Sequence, residues 1–221
     1  MNDSTFITNE QGNTLEDVFK QLIKNTRFFD CIVGYFYPSG FFRIYKELEG
    51  VEKIKILIGI GTNQQALDML SKAKSSQAKL IDTSIQIKSQ LDSKIIDEFE
   101  KSKDNIDVEE GTQKFIDWIK SGKLEIKAYP DQNMHTKLYI FTSKGGGFGD
   151  EGRVITGSSN LTEAGLNKNL EFNVVLKRQE DFIIASKKFE YLWGTAIDVS
   201  ERFVQTIKTK TWLNTEILAE H

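Results

Sequence analysis

Cysteine is nearly absent from this chain of 221 residues: Cys31 stands alone, inside the apolar run FDCIVGYFY at positions 29–37. A single thiol excludes any intrachain disulfide, and a reducing, cytoplasmic setting with a buried thiol is expected. Histidine is almost as scarce, with His135 and the terminal His221 as the only two, and the last residue is assigned no role. Zinc and two-metal hydrolases are normally richer in His or in clustered Asp and Glu, so no metal and no cofactor is expected. Long apolar runs are missing too. The strongest, IKILIGIG at 54–61, falls far short of the ~20 residues that cross a bilayer. The first thirty residues hold no basic stretch leading into an apolar one, so neither a membrane segment nor a secretion leader is expected. No Gly-x4-Gly-Lys-Ser/Thr loop occurs, which excludes an ATPase motor from these residues. With no repeat, low-complexity tract or linker, the chain is expected to form one domain over 1–221.

What is present is ordinary in bulk, 39% apolar and 28% charged residues, with a net charge of −3 that gives no global attraction for a polyanion. The charge is unevenly placed. Between residues 135 and 178, Lys137, Lys144, Arg153, Lys168, Lys177 and Arg178 face four acids, a local +2 that leaves −5 for the rest.

Apolar periodicity predicts a helix over 14–26, capped by Thr14 with Asp17 three residues on. It then predicts a strand at FDCIVGYFY, a helix begun by Pro38 through GFFRIYKELE, and a strand at IKILIGIG. From about Gln64 to Gly122 the chain reads as helices broken near Thr83 and near Asp104–Gly111. Strands return at LEIKAY, TKLYIFT, RVITG and LEFNVVLK, and a helix over 179–193 leads to an amphipathic tail ending near Leu218. The order implies an α/β fold, an α/β/α sandwich around a mixed central sheet.

The chemistry concentrates in MHTKLYIFTSKGGGFGDEGRVITGSSNLT, residues 134–162. On a strand, residues two apart share a face, so His135 and Lys137 are expected to project together while Leu138 and Ile140 enter the core. An imidazole beside an ammonium suits a phosphate: one is a nucleophile, the other a fixed cation for anionic oxygens. If SSNLTEAG turns into a short helix, Ser158 and Asn160 stand at its N-terminus, where an anion is favoured. Each residue also has a plainer reading. Asn160 with Glu163 makes a good capping pair, Ser158 a turn residue, and a lone His or Lys is more often structural or solvated. The run Gly147-x-Gly149-x-x-Gly152 matches the dinucleotide-binding pattern but is followed by a strand where that motif needs a helix, so it is read as a hairpin loop.

Together, His135-x-Lys137 and Gly157-Ser158-x-Asn160 resemble the signature of the phospholipase D superfamily. Glu171 in NLEFNVVL stands eleven residues after the Asn, where that family carries a Glu. The family Asp falls on Thr142, and the segment before Gly157 is lengthened by SKGGGFGDEG, which contains Asp150. Upstream, VGYFYPSGFFRIYKEL followed by IKILIGIG resembles the N-terminal phospholipase D-like domains of bacterial helicases and restriction endonucleases. The resemblance implies phosphodiester cleavage through a phosphohistidine, with His135 as nucleophile. Lys137, Ser158 and Asn160 would hold the phosphate, and Glu171 would orient the imidazole. Since that chemistry takes two histidines and one is available, a homodimer with a site shared by two chains is expected. DNA is the expected partner, and a helicase/ATPase or DNA-recognition domain outside these residues is left open. Two other readings stay open: a phospholipid or small phosphodiester substrate, and a non-catalytic nucleic-acid-binding or dimerisation module, the latter suggested by Thr142.

Overall fold

The computed structural model describes residues 5–10, 12–34, 36, 38–59, 92–93, 96, 106–129, 134–145 and 150–210. The helices expected between 64 and about 105, with their break near Thr83, lie largely outside these residues. So do Gly147, Gly149, the tail beyond 210 and His221.

Eight strands make one mixed sheet in the order β1-β7-β6-β5-β2-β3-β4-β8. They are β1 (Phe6–Ile7), β2 (Thr26–Val33), β3 (Lys53–Gly59), β4 (Leu124–Tyr129), β5 (Leu138–Ser143), β6 (Gly152–Gly157), β7 (Asn173–Leu176) and β8 (Ile197–Asp198). β2, β3 and β4 run parallel. β5, β6 and β7 form an antiparallel meander continuing from β2.

Alternation along the strands sends apolar side chains to both faces. On one face, Phe29, Cys31, Ile54, Ile56, Ile126, Tyr139, Phe141 and Ile155 pack beneath α1 (Leu15–Ile23), α2 (Pro38–Phe42), α3 (Tyr45–Leu48), α4 (Ile106–Lys120) and α6 (Ser200–Lys210). On the other, Ile32, Leu57, Ile140 and Val154 meet Phe182, Ala185, Phe189 and Trp193 of α5 (Gln179–Thr195). The molecule is therefore an α/β/α sandwich, as the sequence implied. Among the described residues no helix is long and apolar enough to cross a membrane.

Several boundaries differ from the sequence reading, each for a local reason. Thr14 caps α1 as expected, its hydroxyl accepting from the Asp17 N–H at 3.1 Å, but the helix ends at Ile23 because Thr26 already begins β2. β2 stops at Val33, not at Tyr37, and at Gly34 the chain passes beside Met134, Lys137 and Asn160. The Pro38 helix breaks after Phe42 at Ile44, whose φ of −130° and ψ of 0° are not helical and whose side chain is fully buried. Arg43, beside that break, grips Glu16 of α1 with two nitrogens.

No break occurs at Gly111. α4 runs through it, and a Cβ there would lie 2.6 Å from Phe42 Cδ1, so the glycine permits α2 to approach α4. The strands β1 and β8 were not expected, each being two residues long and too short for a periodic signal.

Candidate functional site

The antiparallel registers bring the ends of five neighbouring strands to one edge of the sheet. Ile32 pairs with Leu138, Leu138 with Thr156, and Gly157 with Asn173. The start of β5, the end of β6, the start of β7 and the ends of β2 and β3 thus share one region. His135, Lys137, Ser158, Asn160 and Glu171 all fall on the chain immediately outside these ends.

His135 and Lys137 precede the strand instead of lying on it, since β5 begins at Leu138. Their backbone is held by side chains: Thr156 Oγ1 donates to the Lys137 carbonyl at 2.8 Å, and Lys137 Nζ donates to the His135 carbonyl at 2.8 Å. Gly59 makes room for this segment, and Gly34 lies against it. A Cβ on Gly59 would come within 2.9 Å of the Met134 carbonyl oxygen. A Cβ on Gly34 would stand 3.5 Å from Asn160 Oδ1, 3.7 Å from the Met134 carbonyl and 3.9 Å from Lys137 Nζ. The lysine ammonium and the Asn160 side-chain amide therefore flank one small volume above Gly34, where the ammonium suits an anionic oxygen and the amide would bind one through its Nδ2. His135 is exposed beside it.

The loop from Gly157 to Asn160 is fixed by buried polar groups. Gly157 has no room for a side chain, since a Cβ would lie 2.3 Å from the Phe172 carbonyl oxygen and 2.5 Å from Asn173 Oδ1. Asn173 Oδ1 accepts from the Ser159 N–H at 3.2 Å, and its Nδ2 donates to Ser159 Oγ at 2.8 Å. Both residues are fully buried. The Tyr139 hydroxyl donates to the Ser159 carbonyl at 2.7 Å, and burial pushes that phenol well above the usual tyrosine range, so it remains a donor. Sequence reading missed all three. The available signal was Asn173, a polar residue at a position of NVVL that points inward.

Ser158 is tied to the next strand in both directions. Its N–H donates to the Phe172 carbonyl at 3.1 Å, and its Oγ accepts from the Phe172 N–H at 3.0 Å. The same hydroxyl donates to Glu171 Oε2, while Asn169 Nδ2 reaches Glu171 Oε1 at 3.5 Å. Asn9, in the left-handed region at φ 59°, anchors this turn by donating to the carbonyls of Gly165 and Asn169 at 2.9 and 3.0 Å.

Three expectations need correction or refinement. SSNLTEAG does not present Ser158 and Asn160 at a helix N-terminus. The helical piece is a five-residue π turn, Ala164–Lys168, and Thr162 is the side chain that satisfies it, accepting from the Gly165 N–H at 3.0 Å. The residue at the N-cap position of that turn is Glu163, and the Asn160 side-chain oxygen lies beside Gly34. LEFNVVLK is strand only over Asn173–Leu176, which leaves Glu171 in the turn. Thr142 lies toward the far end of β5, paired with Phe28 and Gly152. Five residues of strand put it about 16 Å from Lys137 along the chain, so the missing carboxylate is not missing from this group. Asp150 pairs with Arg153 at the hairpin base, away from the same group.

The profile of the family described as "Cardiolipin synthase, PLD-like domain" matches residues 20–193. No curated protein matches the chain in sequence. Solved structures with a similar fold include Nuc, a phospholipase D family member from Salmonella typhimurium. It is 15% identical, with 87% of this chain and 95% of that one covered at a TM-score of 0.44. NucT from Helicobacter pylori is 12% identical, with 83% and 90% covered at 0.45. The archaeal chromatin protein TrmBL2 is 16% identical, with 88% of this chain covered at 0.42, and the chain spans 53% of its length.

Proposed function

The chain belongs to the phospholipase D-like family, and from that premise we propose that it is a metal-independent phosphodiesterase. On this reading it is a DNA endonuclease working through a phosphohistidine in a site shared by two copies of the chain. The observation that carries the proposal is the convergence of the Lys137 ammonium and the Asn160 carboxamide above Gly34 with His135 exposed beside them.

In the first step an imidazole nitrogen of His135 attacks phosphorus. A P–N bond forms, the P–O bond to one nucleoside breaks, and the second copy's imidazolium gives its proton to the leaving oxygen. In the second step water attacks the same phosphorus, its proton passes to that second imidazole, and the P–N bond breaks to release a phosphate monoester. Lys137 and Asn160 hold the non-bridging oxygens as charge builds. Ser158 carries the phosphate-binding loop and engages Glu171, which is the carboxylate available to orient an imidazole. DNA as substrate is supported by the local positive balance over residues 135–178 and by the resemblance of the upstream segment to restriction-associated domains. A single domain over 1–221, with any helicase or recognition domain lying outside it, belongs to the same proposal.

Incubation with plasmid and single-stranded DNA in excess EDTA tests it. Cleavage by the native chain that His135→Ala abolishes is expected. No cleavage by the native chain, or equal cleavage by His135→Ala, overturns it, and salt-dependent binding without cleavage points to a DNA-binding module instead.

A further inference from the structure

Among the described residues five large apolar side chains are strongly exposed: Phe6, Leu170, Phe172, Ile184 and Tyr191. Ile184 and Tyr191 lie on α5, whereas the other three gather at the β1–β7 edge beside the candidate site. Leu170 and Phe172, 82% and 58% exposed, flank Glu171 in sequence, and the Phe172 ring lies 5.1 Å from that of Phe6, itself 50% exposed. Phe172 is also the residue whose backbone is bonded twice to Ser158. Through Phe172 the apolar edge is therefore hydrogen-bonded directly to the phosphate loop.

We infer that the Phe6–Leu170–Phe172 edge is the surface on which a second copy of this chain docks. The inference rests on the shared-site reading above, and it names the part of the chain that makes the sharing possible. A two-histidine reaction leaves one copy with half a site, so whatever brings the second His135 into reach must also approach the loop that carries Ser158 and Glu171. The three side chains expose roughly 350 Å² per copy. Two copies together supply close to half of the about 1,600 Å² that a standard stable interface buries, and the site loops themselves supply further area.

Charge also favours a second copy over a nucleic-acid strand. Residues 163–178 carry two acids and three bases, a mixture that a two-fold contact tolerates without like-charge repulsion. At the edge itself Glu171 sits between exposed apolar residues and Lys168 is paired with Glu163 at 3.0 Å, so the positive excess that favours DNA lies elsewhere in residues 135–178.

Sedimentation velocity without substrate, from 1 to 100 µM as loading range, tests the surface on the native chain, Phe6→Asp, Leu170→Asp and the control Ile184→Asp. Each variant is first checked for a native circular-dichroism spectrum, and Leu170, four-fifths exposed, provides the variant least able to disturb the fold. A native dimer is expected, weakened at least 100-fold in Kd by either edge substitution and unchanged by Ile184→Asp. A native chain that is monomeric throughout, or edge variants that remain dimeric, overturns the inference. Edge variants that stay dimeric but lose affinity for a fluorescent single-stranded oligonucleotide overturn it too and give the edge to nucleobases. A dimer broken by edge substitutions in a chain that cleaves no phosphodiester leaves the surface standing and removes the function. Cleavage by a dimer indifferent to those substitutions does the reverse.

Discussion

Asp30 is placed to make stability fall as pH rises, and replacing it should strengthen the protein. It lies on β2 beside Lys55 of β3 and opposite Ile140 of β5. The cation beside it is shared: Lys55 Nζ bonds Glu190 of α5 at 2.8 Å and sits 5.6 Å from the centroid of the Trp193 ring. Burial raises the Asp30 carboxyl to about 7 from its ordinary 3.8. Lys55 opposes the rise and Glu190 adds to it.

A raised carboxyl pKa means the folded chain keeps a proton that the unfolded chain has released, between about pH 4 and 7. Stability therefore drops across that window and is flat above it. Three pKa units correspond to about 4 kcal/mol. Allowing for relaxation around the ionised group, Asp30→Asn should be more stable than the native chain by about 2–4 kcal/mol at pH 8 and equal within about 0.5 kcal/mol at pH 4. Urea unfolding of both proteins at each pH unit from 4 to 8 measures this, read as the difference so that other carboxylates cancel. A difference that does not grow with pH would show that Asp30 is not held protonated by burial, as would a carbon-13 titration in which Asp30 ionises below pH 5.

Other outcomes follow from the same geometry. Asn173→Leu keeps the volume but strips the Ser159 N–H and hydroxyl of their buried partner; it should cost about 2–3 kcal/mol in denaturant unfolding, and an unchanged midpoint would refute the clamp. Gly34→Ala puts a methyl at van der Waals distance from Asn160 and Lys137 without touching the core. It should leave the melting temperature within a few degrees while lowering phosphodiester turnover at least tenfold, and turnover equal to native would show that the volume above Gly34 is not used. Gly40→Ala meets the Leu161 carbonyl oxygen at 2.5 Å and should fold poorly, as seen by circular dichroism. Glu16 is pushed up by burial but held below its ordinary value by Lys20, Asn167 and Arg43. Glu16→Gln should therefore cost about 1–2 kcal/mol near neutral pH, with the loss shrinking as pH falls through 4.5, whereas a pH-independent loss would argue against ionic support.

The α/β layering and the gathering of the site were legible in the sequence for a physical reason. Apolar runs such as IKILIGIG and the alternation in LYIF fix which strands are buried, and a short antiparallel connection returns β6 beside β5, carrying Ser158 and Asn160 back to His135 and Lys137. What was not legible depends on partners distant in sequence. Gly111 read as a helix break and Gly59 as one more residue of an apolar strand, yet each permits a close approach, by Phe42 and by Met134 respectively. Asn160 looked like a cap because Glu163 follows at the right spacing, but Thr162 accepts from the Gly165 N–H of the π turn, and the Asn160 side-chain oxygen lies beside Gly34. Thr142 looked like a lost charge at the site because sequence spacing does not reveal that five strand residues carry it to the other end of β5.

If each chain carries half of a histidine site, only one of two paired His135 side chains can hold the phosphoryl group at a time. Rapid quenching in alkali during cleavage of a DNA substrate, followed by intact-mass measurement and mapping of the acid-labile phosphoryl adduct, should find an adduct on His135 that saturates at no more than one per two chains. An adduct on every chain, or a cleaving enzyme with none on His135, would rule the shared site out.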